Sequence, residues 1–163
     1  MLITKVKLRN FRCFKACEFD FDNKIVLIEG RNGSGKTTLL EALYYACYLR
    51  SFKTRLSEEL INFSSDSFFV QVNFDELDGT NNQIQVGHSD SSGKLIKFNQ
   101  RQIRSFKDII SRYQVISVTE DDLQLVKGSP ENRRSFLNQS LLYSQLNRKF
   151  GQNSFSLKLL SLF

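Results

Sequence analysis

One short segment constrains this chain more than any other. Residues 30–37 read Gly-Arg-Asn-Gly-Ser-Gly-Lys-Thr, which is the pattern G-x-x-x-x-G-K-[ST] of a phosphate-binding loop. Glycines allow backbone N–H groups to turn toward an anion, and the start of the next helix adds the positive end of its dipole. We therefore predict a nucleotide site made by Gly30, Arg31, Asn32, Gly33, Ser34, Gly35, Lys36 and Thr37.

Two residues of this loop have distinct chemical roles. Lys36 supplies a mobile cation for the β- and γ-phosphates of ATP, and the Thr37 hydroxyl is a ligand for Mg²⁺. Glu41 lies one turn beyond Thr37, and the motif gives it no role. A solvent-exposed helix position would accommodate it.

Hydrophobic periodicity predicts the elements around the loop. Residues 2–10 alternate as a strand with one polar face, and the apolar run Ile25–Ile28 predicts a strand buried on both faces. A helix follows over residues 36–49. Residues 68–98 alternate between turns and predict an antiparallel meander. A short helix (103–111), a strand (114–118) and a helix from Pro130 to about Phe150 come next.

The acidic residues needed for hydrolysis are not evident. Asp75-Glu76 follows a strand in which polar Gln71 and Asn73 alternate with apolar residues, whereas a strand in a parallel nucleotide-binding sheet is apolar on both faces. We interpret both acids as turn residues of the meander. Without them we expect negligible ATP hydrolysis by this chain alone.

Charge is distributed unevenly along the chain. The net charge is +6 over 163 residues, and residues 81–163 carry all of it. One basic cluster has the composition of a surface for nucleic acid, although a solubilising face is the alternative. The cluster consists of Lys94, Lys97, Arg101, Arg104, Lys107 and Arg112.

The same composition limits the location of the protein. No apolar run approaches the ~20 residues of a membrane span, and the N-terminus lacks the apolar core of a secretory signal. The three cysteines, Cys13, Cys17 and Cys47, fit reduced thiols better than a zinc site. We expect a cytoplasmic protein without membrane contact. His88, on a polar hairpin, is expected at the surface.

Leu8-Arg9-Asn10-Phe11-Arg12, together with the loop, resembles the N-terminal heads of SMC-like ATPases. Two further segments resemble the RecF family among them: Leu40–Tyr44 with Ser51–Thr54, and Leu125–Leu137. The resemblance implies an α/β fold: a partial ABC/SMC-like P-loop head with an antiparallel β meander, leading into a truncated helical lobe. It divides the chain into a head (1–118), the start of the helical lobe (119–150) and an atypical tail (151–163).

The resemblance also implies a function. It is ATP- and Mg²⁺-dependent binding of single-stranded or gapped DNA in replication, recombinational repair and the SOS response. The implied partners are a RecR-type loader and a second copy of the chain. Departures are Phe52-Lys53 in place of His-Arg, and the absence of the family's signature motif and acidic strand. A small P-loop phosphotransferase and an inactive remnant of a truncated gene remain alternatives.

Overall fold

The structure is a computed structural model that describes residues 1–103, 109–110, 113–118, 127–150 and 156–160. Residues group into two compact units, Met1–Ser105 and Phe106–Phe163. The first unit holds a six-stranded sheet, one helix and the phosphate-binding loop. The predicted helix over 103–111 lies mostly outside the described residues.

The sheet of the first unit is antiparallel throughout. Its strands are β1 (Leu2–Phe11), β2 (Phe14–Asp20), β3 (Ser67–Asp75), β4 (Asn81–Ser89), β5 (Gly93–Phe98) and β6 (Arg101–Gln102). They lie in the order β2-β1-β3-β4-β5-β6, so the predicted meander is confirmed as β3 to β5. Helix α1 (Lys36–Tyr48) contacts β1, β3 and β4.

Strand alternation gives the sheet one apolar face. Val6 on β1, Val72 on β3 and Ile84 on β4 are cross-strand neighbours and are fully buried. An aromatic cluster joins this face to α1: the ring centroid of Phe68 lies 5.1 Å from that of Phe11 and 5.3 Å from that of Tyr45. Burial of side chains of this size contributes about 1.5–3 kcal/mol each, so this face is the core of the unit.

The opposite face of the sheet carries amide side chains. Gln85 donates from Nε2 to Gln71 Oε1 at 3.1 Å, and Gln71 donates to Asn73 Oδ1 at 3.0 Å. These amide side chains, within β3 and across to β4, satisfy one another's hydrogen-bonding groups. This face is the polar side that the alternation of Gln71 and Asn73 predicted.

The apolar run before the loop is the main correction to the predicted fold. Residues 25–28 form no strand, and Ile25 is 90% exposed and Leu27 75% exposed. A strand buried on both faces needs hydrogen-bonded neighbours as well as apolar composition. None of the described strands pairs with this run, so its side chains lie in solvent.

His88 is a second correction. It lies on β4 in phase with Ile84 and Val86, and only 9% of it is exposed. Its ring packs against Phe68, and neither ring nitrogen has a hydrogen-bond partner. The nearest opposite charge is Glu58, whose Oε1 lies 3.7 Å from Nε2. The alternation of side chains along β4, rather than the polarity of histidine, determines that His88 lies on the apolar face of the sheet.

The cysteines are free thiols, as predicted. Cys13 is exposed, Cys17 is half-buried and Cys47 is buried in α1. Burial raises the pKa of Cys47 to about 12, because the thiolate loses its hydration in the core. Cys47 is therefore a neutral, unreactive thiol at physiological pH.

Within the described residues of the second unit, two strands and a long helix are formed. Strand β7 (Gln114–Val118) confirms the predicted strand, and α2 (Pro130–Phe150) confirms the predicted helix that begins at Pro130. Strand β8 (Ser156–Leu160) pairs with β7 in parallel. The tail thus contributes a strand that the sequence analysis did not predict.

Two substitutions on β4 test what buried polar groups contribute. We expect His88→Leu to raise the free energy of unfolding by about 1 kcal/mol, because it removes ring nitrogens that are buried without partners. Asn82 is the matched control: its Nδ2 donates to Glu76 Oε1 and its Oδ1 accepts from Asn99 Nδ2, both at 2.8 Å. Asn82→Leu should lower the stability by about 1–2 kcal/mol. Urea denaturation measures both, and a loss for His88→Leu equal to that for Asn82→Leu would contradict the reading of His88.

Candidate nucleotide-binding site

The backbone of the predicted loop has the shape that the glycines permit. Gly33 and Gly35 have φ values of 81° and 97°, a region that side chains with a Cβ rarely adopt. Ser34 N–H donates to Arg31 O at 3.1 Å, which closes the turn. Gly35 caps α1 without a side-chain hydrogen bond, so the first-turn N–H groups are not occupied by a capping side chain.

Lys36 lies inside this loop. Its Nζ donates to Gly30 O at 2.8 Å and to Arg31 O at 3.0 Å, so the ammonium bridges the start of the loop from the first turn of the helix. Both acceptors are neutral carbonyl groups. A phosphate would give the same ammonium a charge-assisted partner, which forms a stronger hydrogen bond.

The residues of the loop fit a polyphosphate group. The half-buried start of α1 has N–H groups that no side chain caps. The Lys36 ammonium and the two glycines with positive φ, Gly33 and Gly35, lie in the same loop. Thr37 follows Lys36 in the first turn, where its hydroxyl would be a ligand for Mg²⁺ bound to such a polyphosphate. Among the described residues no group of three His, Cys, Asp or Glu side chains forms a metal site of its own.

The turn between β1 and β2, with the first residue of β2, packs against the loop. A Cβ placed on Gly35 would lie 2.5 Å from Phe14 Cζ and 3.1 Å from Cys13 Sγ. Cys13 Sγ also lies 3.9 Å from Thr38 Oγ1, one residue beyond the motif. Glycine is therefore required at position 35 by close packing as well as by its backbone angle.

An ion pair with a buried carboxylate joins this turn to α1. Arg12 donates from Nη2 to Glu41 Oε1 at 2.8 Å and from Nε to Glu41 Oε2 at 3.1 Å. The Glu41 side chain is 1% exposed and that of Arg12 is 27% exposed. Two parallel N–H···O bonds match the fork of a guanidinium to a carboxylate, which fixes the relative orientation of the two side chains.

A third segment joins the same carboxylate. The Ser51 hydroxyl donates to Glu41 Oε1, and its oxygen accepts the backbone N–H groups of Lys53 at 2.8 Å and Thr54 at 3.1 Å. Glu41 thus holds the turn after β1 and the segment after α1 together. It is not the solvent-exposed residue that its place in the motif allowed.

The main chain of Arg12 is held from the other side. Its N–H donates to Leu60 O at 2.8 Å, and its carbonyl accepts from Asn62 Nδ2 at 2.5 Å. Arg12 has a left-handed φ of 51°, a conformation that is unfavourable for a residue with a long side chain. Bonds to the side chain, the N–H and the carbonyl together hold it there.

The predicted DNA-binding cluster is divided by the structure. Cross-strand partners share a face, so Lys94 (opposite His88) and Arg101 (opposite Phe98) lie on the α1 side, and Lys97 lies on the amide side. Lys94 Nζ donates to Leu49 O at 3.1 Å at the end of α1. Arg101 is exposed. Arg104, Lys107 and Arg112 lie outside the described residues.

Asp75 is the last residue of β3 rather than a turn residue, and Glu76 begins the turn to β4, as predicted. Asp75 accepts a hydrogen bond from Asn81 Nδ2 at 2.7 Å, and Glu76 accepts one from Asn82 Nδ2 at 2.8 Å. The Glu76 N–H donates to Thr80 O, which closes the connection between β3 and β4. Both acids stabilise a hairpin.

Comparison with known proteins identifies the family. A family model described as the AAA domain matches residues 5–161. The chain belongs to the AAA domain family. It is also similar to the N-terminal portion of RecF, the DNA replication and repair protein, which confirms the resemblance seen in the sequence.

Two curated relatives illustrate that similarity. The RecF protein of Prosthecochloris aestuarii is 33% identical over 141 residues, which are 86% of this chain and 38% of the relative. The RecF protein of Chlamydia abortus is 36% identical over 150 residues, 92% of this chain and 40% of the relative. The chain therefore spans about two fifths of the length of the curated relatives it matches.

Solved structures agree on the fold. The recombination mediator RecF, solved with ATP, superposes with a TM-score of 0.75 and 28% identity over 83% of this chain and 36% of that chain. A chain from a study of SMC ATPases has a TM-score of 0.68 and 20% identity over 83% of this chain and 97% of that chain. The expected partial ABC/SMC-like P-loop head is thereby confirmed. No helix in the described ranges is long and apolar enough to cross a membrane.

The buried ion pair leads to a stability prediction. We expect Arg12→Ala to lower the free energy of unfolding by about 3 kcal/mol, because it leaves the Glu41 carboxylate buried without its partner. The control is Lys5→Ala, which removes a cation that pairs with Glu18 and Asp20, two carboxylates that are exposed to water, unlike Glu41. The decrease in the free energy of unfolding caused by Lys5→Ala should be much smaller than that caused by Arg12→Ala. Urea denaturation compares the two variants, and equal losses would contradict a structural role for the Arg12–Glu41 pair.

Proposed function

We propose that the chain binds Mg-ATP at residues 30–37 and acts as a RecF-like protein of DNA replication and repair. The observation that carries the proposal is the conformation of the loop. The Lys36 ammonium donates to the backbone carbonyls of Gly30 and Arg31, beside a helix start that no side chain caps. A solved RecF is described with ATP, and that neighbour covers most of this chain.

The proposal assigns the parts of ATP to residues of the site. Lys36 exchanges its bonds with Gly30 O and Arg31 O for the β- and γ-phosphates, and the N–H groups of the loop receive the phosphate oxygens. Thr37 is the protein ligand of the Mg²⁺ that accompanies the nucleotide.

Lys36→Ala tests the nucleotide site. Charge-assisted hydrogen bonds contribute about 1.5–3 kcal/mol, so the variant should bind Mg-ATP at least tenfold more weakly in a fluorescence or filter assay. Lys24→Ala, which removes an exposed cation before the loop, is the matched control and should bind like the parent. Phosphate release by the parent should not exceed that of Lys36→Ala. Equal ATP affinity in parent and Lys36→Ala would remove the nucleotide site from the proposal.

We extend the proposal to DNA by similarity to RecF and by the charge of the chain. The substrate class is single-stranded or gapped DNA, and ATP controls its binding. The basic residues 94–112 carry a net charge of +5, which attracts phosphate without reading sequence. Arg101 is an exposed cation of this cluster, and we place it in contact with the DNA backbone.

Binding to a gapped duplex should be salt-sensitive and independent of sequence. Arg101→Glu should weaken it on all sequences alike and reduce the slope of log affinity against log salt, because a phosphate contact releases a counterion. Lys24→Glu makes the same charge change outside the cluster and serves as the control. Fluorescence anisotropy over a salt series provides the measurement. A flat slope for the parent, or a loss confined to one sequence, would contradict an electrostatic contact.

The remaining parts of the proposal rest on the similarity to RecF alone. They are a RecR-type loader as partner, an ATP-dependent homodimer, a cytoplasmic location and a role in the SOS response. A second copy would face the loop across the nucleotide. Size measurement with and without Mg-ATP tests the dimer independently of DNA.

A further inference from the structure

Glu41 connects three segments that are distant in the sequence. Its carboxylate accepts two hydrogen bonds from the Arg12 guanidinium and a third from the Ser51 hydroxyl. Glu41 itself is 0% exposed, so its carboxylate depends on these two partners in place of water. In such surroundings a hydrogen-bonded ion pair is stronger than at the surface and has few alternative arrangements.

Glu41 is also placed to respond to the nucleotide loop. It lies four residues after Thr37 and three after Thr38, so the three side chains share one face of α1. Cys13, next to Arg12, already contacts Thr38 on that face. A change in the first turn of α1 on phosphate binding is thus passed to Glu41 by the helix and to Arg12 by the adjoining turn.

The segment after α1 depends on the same carboxylate. The Ser51 oxygen accepts the N–H groups of Lys53 and Thr54, and its hydroxyl donates a hydrogen bond to Glu41, which fixes the position of that oxygen. Lys53 itself is exposed. The conformation of residues 51–54 therefore follows the position of Glu41.

We propose that Glu41 is a positioning residue that couples nucleotide binding at residues 30–37 to the conformation of residues 51–54. The inference rests on the proposed ATP binding and goes beyond it, because it assigns a regulated segment outside the loop. The coupling is reciprocal: ordering of residues 51–54 strengthens nucleotide binding by the same factor.

Hydrogen exchange of the full chain, with and without Mg-ATP, tests the coupling. In the parent we expect Mg-ATP to slow exchange both in a peptide over residues 30–40 and, by at least about fivefold, in a peptide over residues 49–56. Ser51→Ala removes the hydroxyl that joins Glu41 to the segment. It should keep the protection of residues 30–40 and lose that of residues 49–56. Glu41→Gln should show the same separation while retaining the shape of the side chain.

The chain offers a matched control. Ser57 Oγ lies 3.3 Å from Tyr45 OH and so joins another serine to α1 without touching Glu41. Ser57→Ala should keep nucleotide-dependent protection in both peptides. This control separates the coupling from the loss of any serine bond to the helix.

The outcomes separate the coupling from the ATP site. Protection of residues 30–40 without change in 49–56 of the parent would overturn the coupling and leave ATP binding intact. Undiminished coupling in Ser51→Ala and Glu41→Gln would also overturn it. Protection in neither peptide, with Lys36→Ala equal to the parent, would remove the ATP site and the coupling together.

Discussion

The packing of the first unit depends on the Arg12–Glu41 ion pair. Glu41 has no exposed surface, and a buried carboxylate would lose its hydration at a large free-energy cost if it were unpaired. The guanidinium supplies two hydrogen bonds and Ser51 a third, so the lost hydration is replaced. Since these partners come from the turn after β1 and the segment after α1, one carboxylate fixes α1 relative to the sheet and to the chain that leaves it.

Local alternation predicted most of the sheet because α1 packs on one face of the central strands β1, β3 and β4. Val70, Val72 and Phe74 are buried, whereas Gln71 and Asn73 bond to other amides on the opposite face. The same period places His88 inside, and there the residue type misled the prediction. The prediction of a strand at 25–28 failed for a different reason. Apolar composition indicates which surroundings a strand would prefer, but a strand forms only where neighbouring strands provide hydrogen bonds.

The two parts of the candidate site differ in how far the sequence defines them. The loop is a local structure whose glycines and Lys36 act within eight consecutive residues, so its spacing contains the whole motif. Arg12, Glu41 and Ser51 act across the fold, and no spacing rule connects an arginine after a strand to a glutamate in a helix 29 residues later. The signal available was a charged residue within the apolar part of α1. The basic cluster illustrates a different point, because Lys94 and Lys97 are close in sequence on β5 but lie on opposite faces of the sheet.

The loop is therefore supported unequally at its two ends. At the helix end, Gly35 is packed against Phe14, and α1 is fixed by Glu41. At the other end the chain arrives through residues of which Ile25 and Leu27 are largely exposed, and the contact that holds the loop start is the bond from Lys36 to Gly30 O. A phosphate that took Lys36 away from this carbonyl would loosen the start of the loop while it occupied the N–H groups at the helix. Part of the binding free energy would then be used to reorder the loop start, which would lower the apparent affinity of a site whose helix end is already in place.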